Sequence, residues 1–322
     1  MLPPKDRLTV CFAHVAYRFG ERFVLRDTGI AFCEVRTREE MEARIGDADV
    51  LVVSGMWRND LAPKAAKLRF IQSISAGVDQ YDKEVLAAHG IRLASAQGAN
   101  ANAVSEHGMA LILAIARRIP EAVRNQEKRF WRGMIGDLTR REDELGGKTL
   151  LVVGIGRIGG RLARLARAFD MRVIGVRRDP SAGAEGADEI HGVDALPSLW
   201  GRADIVALTC PLTPQTTGLV NAAALAAMKP GAQLVNLARG KVVDEPALIE
   251  AMRSGHLSAA ALDVTVEEPL PAESPLWTLP NVLITPHSGG ETRAYEDAVI
   301  DLLLENLDRL WRGETTLRNQ VV

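Results

Sequence analysis

Residues 149–176 constrain the fold more than any other stretch of the chain. An apolar run, Thr149-Leu150-Leu151-Val152-Val153, passes directly into Gly154-Ile155-Gly156-Arg157-Ile158-Gly159. A helical pattern follows, with Ile158, Leu162, Leu165 and Phe169 spaced 4, 3 and 4 apart as a core stripe, and a second apolar run spans Arg172–Val176. Strand, glycine-rich turn, helix and strand in that order form a crossover unit, which commits its two strands to run parallel.

The same alternation runs through the rest of the chain. Leu8–Ala13, Ile30–Val35, Val50–Ser54 and Phe70–Ser73 read as strands, with helical patterns at Arg36–Ile45 and Asp60–Lys67. Further strands are predicted at Ile205–Thr209, Gln233–Asn236, Ala259–Leu262 and Val282–Thr285. Apolar runs of this length imply parallel sheets covered on both faces. At about 100–200 residues per domain, a chain of 322 suggests two domains. The expected fold class is therefore α/β, with two Rossmann-like doubly wound parallel-sheet domains and a cleft between them. A small-residue stretch at Gly98–Val104 leads into an apolar helix, Ala103–Arg118, and the Pro/Gly-rich loop Pro286–Gly290 precedes a final helix, Glu291–Arg312. These suggest one domain from 1–99 and 291–322, with 100–290 inserted between, although the sequence alone leaves that discontinuity open.

Lys and Arg number 39 against 41 Asp and Glu, a formal net charge of −2, which argues against nucleic-acid or anionic-membrane binding. Cys11, Cys33 and Cys210 form no CxxC pair or Cys/His cluster, so neither a metal site nor a disulfide framework is expected, and a reducing compartment is the default. The first twenty residues contain no apolar signal-peptide core. The most apolar stretch, Gly108–Ala116, is far short of the about 20 residues a membrane span needs. The expected location is the cytoplasm.

In GxGxxG between strand and helix, each glycine has a physical task. Gly154 allows the tight turn, Gly156 lets the backbone approach a pyrophosphate, and Gly159 lets the helix lie close on the strand. Arg157 and Ile158 open the helix, whose N-terminal N–H groups favour an anion. A dinucleotide is the expected ligand. NAD sites usually carry Asp or Glu at the end of the second strand to bind the ribose 2′-OH. Here that end reads Val176-Arg177-Arg178-Asp179-Pro180. A guanidinium pairs with a 2′-phosphate where a carboxylate repels it. NADP(H) is therefore preferred, with NAD(H) as the alternative if Arg177 and Arg178 are solvated and Asp179 reaches the ribose.

Arg239, Asp263, Glu268 and His287 each lie at or just beyond the end of a predicted strand, where open α/β sheets bind ligands. Arg239 can hold a carboxylate and polarise the neighbouring carbonyl. His287 can supply a proton to that oxygen, and Glu268 can orient the imidazole and favour its charged form. Asp263 suits the nicotinamide carboxamide or nearby backbone. Singly, each reads more readily as a surface or helix-entry residue; the joint arrangement points to reduction of an α-keto acid.

These segments, with the phosphate loop, resemble the D-isomer-specific 2-hydroxyacid dehydrogenase family. Further pieces agree: Ser75-Ala76-Gly77-Val78-Asp79, Gly98-Ala99-Asn100-Ala101 to Glu106-His107, and Thr209-Cys210-Pro211-Leu212-Thr213 to Thr216. The resemblance runs from about Phe70 to Gly290. It implies Arg239, Glu268 and His287 as the catalytic set, and cofactor contacts from Gly154, Gly156, Arg157, Ile158, Gly159, Arg177, Arg178, Cys210, Pro211, Thr216, Ala238, Asp263, Gly289 and Gly290. It implies that Ala76 and Gly77 offer backbone N–H groups to the substrate carboxylate. It also implies a homodimer formed through the dinucleotide domains, in which Trp131 is the candidate to approach the partner's active site. The arginine at 177 is similar to the NADPH-dependent glyoxylate and hydroxypyruvate reductases of the family. Two positions depart from relatives: Thr265, where an aromatic is common, and Ser288, where an apolar residue is usual.

Substrate choice is expected in the first domain, where Met56 and Trp57 can form an apolar wall and Arg58 can meet a second anionic group; ordinary loop packing is the equal alternative. The expected activity is reduction of a glyoxylate- or hydroxypyruvate-like acid to the D-2-hydroxy acid. A non-catalytic nucleotide-sensing corepressor, or another dehydrogenase such as a phosphite-type enzyme on the same fold, is the alternative. Formate dehydrogenases pair the histidine with glutamine, and Glu268 speaks against that one.

Overall fold

The computed structural model describes residues 2–322, the Thr139 side chain apart. Two compact units emerge: Met1–Asn100 with Glu291–Val322, and Ala101–Gly290.

The first unit is a parallel sheet of β1 (Thr9–Ala13), β2 (Ala31–Val35), β3 (Val50–Val53), β4 (Phe70–Ser73) and β5 (Arg92–Ala94), in the order β2-β1-β3-β4-β5. Alternate side chains feed two cores. Val10, Phe12, Val50 and Val52 face one side, against the C-terminal helix Tyr295–Trp311 and α1 (Phe19–Val24). Cys11, Ala13, Leu51 and Val53 face the other, with α2 (Arg38–Arg44) and α3 (Lys83–Ala88). That two-sided burial is why these strands read as unbroken apolar runs. Thr37 and Glu40 form a capping box that starts α2 after Arg36, so the helix is shorter than its sequence pattern. The segment expected as a helix over 60–67 is instead a 3₁₀ turn, Asn59–Lys64, with Pro63 inside it and no N–H to continue an α-helix. Cys11 and Cys33 are register partners on β1 and β2, and both are free thiols.

The two chain ends share this unit because polar groups tie them together. Asn306 donates from Nδ2 to buried Gln72 Oε1 on β4 at 3.0 Å, and its Oδ1 accepts the Arg318 N–H at 2.8 Å. The last residues then lie along β5, with Val321 N donating to Leu93 O at 2.8 Å.

The second unit is a seven-stranded parallel sheet of β6 (Thr149–Val153), β7 (Arg172–Val176), β8 (Glu189–His191), β9 (Ile205–Leu208), β10 (Gln233–Asn236), β11 (Ala259–Leu262) and β12 (Val282–Ile284). Its order is β12-β11-β10-β9-β6-β7-β8, so the chain reverses direction of travel between β6 and β9. α4 (Ala101–Ala116) and α6 (Arg157–Arg167) cover one face; α7 (Leu196–Leu199), α8 (Ala222–Ala227) and α9 (Glu245–Arg253) cover the other; α5 (Ile119–Glu127) follows α4. The stripe of α6 differs from its sequence reading. Gly159, Leu162, Ala163 and Ala166 are buried, whereas Phe169 lies past the helix end and is 41% exposed. Small residues win the inner face because α4 packs closely there. Among the described residues, no helix is long and apolar enough to cross a membrane.

Candidate active site

Strand order along the carboxyl edge of the second sheet sets out the site. From one side it presents the turns after β12, β11, β10, β9, β6 and β7, about 4.8 Å apart. These carry His287, then Asp263 and Glu268, then Arg239, Cys210, Gly154, and finally Arg177 and Arg178.

Gly154 has φ +107°, and a Cβ there would stand 2.5 Å from Cys210 N, so only glycine lets the β6 turn lie against the end of β9. At Gly159, a Cβ would meet Gly154 O at 2.5 Å, which accounts for the close seat of α6. Around Gly156 no atom beyond its own chain neighbours comes within 4 Å of the Cβ position. As N-cap it supplies no side-chain hydrogen bond to Arg157, Ile158 or Gly159. The backbone there is open and the first turn uncapped by side chains, which fits a pyrophosphate. Thr216 Oγ1 donates to Pro211 O at 2.7 Å and accepts Thr213 N at 2.8 Å, closing the loop after β9. Cys210 is buried, and burial pushes its thiol up to about 11, so it is an inert wall here.

At the end of β7, Arg177 turns its Nη1 onto the carbonyls of Ala182 and Gly183, at 3.2 and 2.9 Å. Asp179 accepts the Ser181 N–H at 3.0 Å and hydroxyl at 2.6 Å, and those bonds, then Arg177, hold its carboxyl below the ordinary value. Arg178 is exposed.

Three turns hold the reactive groups. Buried Asn236 accepts Ala238 N at 3.0 Å and donates to Arg239 O at 3.1 Å, clamping the turn that presents half-buried Arg239. Gly240 lies so tightly on the next turn that a Cβ would come within 2.0 Å of the Thr265 carbonyl. The turns bearing Arg239 and Glu268 are therefore in contact. Glu268 Oε1 accepts Thr265 N at 3.1 Å, and Glu268 Oε2 lies 2.8 Å from His287 Nδ1. Burial works to raise the Glu268 carboxyl, but the hydrogen bond and charge of His287, the Thr265 N–H and the Arg239 charge outweigh it. An ionised carboxylate only accepts, so Nδ1 carries the hydrogen and Nε2 is left to exchange a proton. His287 itself has φ +53°, a left-handed conformation uncommon for a residue with a side chain. Asp263 is buried; its Oδ1 accepts the Thr285 hydroxyl at 2.6 Å and Ser288 N at 3.0 Å, and its Oδ2 accepts Gly289 N at 3.1 Å.

A family model described as "D-isomer specific 2-hydroxyacid dehydrogenase, NAD binding domain" matches residues 109–289. The chain belongs to that family. Its cofactor class is accordingly a nicotinamide dinucleotide. The chain is 41% identical over 283 residues to a D-3-phosphoglycerate dehydrogenase of Methanocaldococcus jannaschii, covering 86% of this chain and 52% of that protein. It is 36% identical over 301 residues to a glyoxylate reductase of Pyrococcus furiosus, covering 88% and 86%. A crystal structure of a Thermus thermophilus protein, 35% identical, matches with a TM-score of 0.84 over 98% of this chain and 100% of that one. The chain spans about half the length of the phosphoglycerate dehydrogenases it matches.

The remaining residues expected to meet substrate lie in the first unit. Ala76 and Gly77 occupy the turn after β4, half-buried. Met56 and Trp57 are buried in that unit's core, with the Trp57 ring 6.3 Å from Tyr81 and its Nε1 donating to Asn59. Arg58 pairs with Asp60 at 3.0 Å and Glu42 at 2.9 Å, which favours the loop-packing reading of that side chain. Gly290 ends the second unit, next to buried Gly289. Sequence reasoning assigned no role to Asn236, Thr285 or His107. Their signal was faint: three polar residues, on two strand ends and one helix, with no spacing that ties them together.

Proposed function

We propose that this chain reduces a small 2-keto acid, glyoxylate- or hydroxypyruvate-like, to its D-2-hydroxy acid with NADPH. The observation that carries the reading is the 2.8 Å Glu268–His287 pair beside the turn that bears Arg239. Arg239 grips the substrate carboxylate and draws electron density from the adjacent carbonyl. The nicotinamide cofactor, when bound, supplies hydride to that carbon. His287 gives its Nε2 proton to the carbonyl oxygen, and Glu268 keeps the ring oriented through Nδ1. Gly154, Gly156, Arg157, Ile158 and Gly159 hold the pyrophosphate, Cys210, Pro211 and Thr216 border it, and Ala238, Asp263, Gly289 and Gly290 flank the nicotinamide end.

The preference for NADPH is supported by an arginine instead of an acid at position 177 and by Asp179, whose Oδ1 is taken by Ser181. By the resemblance, Ala76 and Gly77 offer N–H groups to a carboxylate, whereas Met56 and Trp57 are buried in the first unit's core. A phosphorylated 2-keto acid is the second reading, favoured by the 41% identity to a D-3-phosphoglycerate dehydrogenase. Engagement of Arg58 by Glu42 and Asp60 weighs toward the unphosphorylated acid. The chain acts as a homodimer through its dinucleotide unit, supported by the apolar segment Phe130, Trp131, Met134 and Leu138, all exposed. Free Cys11, Cys33 and Cys210 fit a reducing, cytoplasmic setting.

The test is oxidation of NADPH and of NADH with glyoxylate, hydroxypyruvate, phenylpyruvate and 3-phosphohydroxypyruvate. NADPH with the first two should give the highest kcat/KM, and His287→Ala should lose about 10²–10⁴-fold in kcat. Binding of cofactor without turnover of any keto acid would sink the reductase reading. A ranking led by 3-phosphohydroxypyruvate replaces the substrate class.

A further inference from the structure

His107 stands outside the proton-transfer set, yet its ring is built into the loop that carries His287. It lies in the second turn of α4, with its side chain 23% exposed. Its Nε2 is 2.9 Å from Thr285 Oγ1 and 3.3 Å from Asp263 Oδ1. Thr285 gives its one hydroxyl hydrogen to Asp263 Oδ1 at 2.6 Å. Toward His107 that oxygen can only accept, so Nε2 of His107 carries a hydrogen. Asp263 in turn accepts the N–H groups of Ser288 and Gly289, the two residues after His287. Donors therefore converge on one buried carboxylate from three sides: Nε2 of His107 on helix α4, 3.3 Å from Oδ1, the Thr285 hydroxyl at the end of β12, and the backbone of the catalytic loop.

Contact reinforces the hydrogen bonds. A Cβ on Gly289 would come within 2.7 Å of Asp263 Oδ2 and 3.1 Å of His107 Cδ2, so the loop is pressed against both side chains. The left-handed backbone of His287 is unfavourable by itself and persists only where its surroundings over-determine it. The Arg239 turn is clamped by its own hydrogen bonds to Asn236.

We propose that His107, acting through Thr285 and Asp263, is a positioning residue that holds the left-handed turn presenting the His287 imidazole. The proposal rests on the reading of His287 as proton donor. Loss of the His107 donor frees the Thr285 hydroxyl to turn from Asp263 and loosens the loop's anchor. Proton transfer suffers, whereas carboxylate binding at Arg239 is untouched.

Steady-state kinetics with NADPH and hydroxypyruvate test this. His107→Leu should lower kcat about 10-fold or more, because small displacements of a reacting group are costly, with KM for hydroxypyruvate changed by less than about 2-fold. In His107→Gln an amide N–H reaches the same oxygen, and most of kcat should return. Thr285→Val, which removes the hydroxyl from the strand side, should show the same split and carries the test if His107→Leu does not fold. A near-normal kcat in His107→Leu overturns the proposal, as does a loss confined to KM, or an equal loss in the Leu and Gln variants. His287→Ala is measured alongside. If it turns over normally, the reading of His287 fails; if it is inactive while His107→Leu is normal, only the positioning role fails.

Discussion

Asp263 shows how one buried charge gathers hydrogen bonds from separate segments of the chain. Burial alone would raise its carboxyl, but hydrogen bonds from His107, Thr285 and the Gly289 N–H bring it below the ordinary range. A carboxylate depressed in the folded state adds stability that is present above its unfolded value, about 3.9, and is lost as pH falls through the folded value. Protonating it also turns one of its oxygens into a donor and weakens its hold on Ser288 and Gly289. Asp263→Asn should therefore be less stable at neutral pH, and its stability should fall less between about pH 5 and pH 2 than that of the wild type. Urea unfolding across that interval reads both; equal losses in the two proteins would contradict the argument. Arg239, Glu268 and His287 were legible in the sequence because strand ends in α/β sheets are where such side chains collect. His107 was not, since nothing along the chain relates a helix residue to a turn 178 positions later.

At the scale of the element, the Gly154–Arg178 segment holds seven arginines and one acid, which in sequence reads mostly as a solvated helix face, with the few nearest the phosphate loop and second strand as an anion site. Folding assigns most of them. Arg161 pairs with Glu106, Arg167 with Asp188 and Arg172 with Glu189, Arg164 donates to Glu185 O, and Arg177 donates to the Ala182 and Gly183 carbonyls. Exposed Arg178 remains beside the end of β7, and the proposed 2′-phosphate contact falls chiefly on it. Arg178→Asp should reduce kcat/KM for NADPH by roughly 10–100-fold, the value of one charge-assisted hydrogen bond, and leave NADH within a few-fold. An unchanged ratio between the cofactors would count against Arg178. The long apolar strands were readable because both their faces are buried. The strands β5 and β8 were not, because Arg92-Leu93-Ala94 and Glu189-Ile190-His191 each hold one large apolar residue and form no apolar run, unlike the equally short β12.

For the whole molecule, the exposed apolar segment of the second unit is a demand left unsatisfied by a single copy. Trp131 is 96% exposed and Met134 fully so. Light scattering coupled to gel filtration should give twice the chain mass. The double substitution Trp131→Ala with Met134→Asp should shift the protein toward monomer, because it removes apolar area from the proposed contact. A wild-type protein of single-chain mass would refute the dimer.

The sequence by itself determined the parallel α/β class and the identity of the glycine turn, because strand burial and turn geometry are local demands written in neighbouring residues. It also named Arg239, Glu268 and His287, each by its place after a strand. Only the tertiary structure decided which of those strands are neighbours. The order β12-β11-β10-β9-β6-β7 brings their separate turns onto one edge and sets β6 beside β9, more than fifty residues on. Only it, too, joined the chain ends through Asn306 and Gln72, and His107 through Thr285 to Asp263. Those pairings depend on long-range packing, which leaves no periodic trace along a chain.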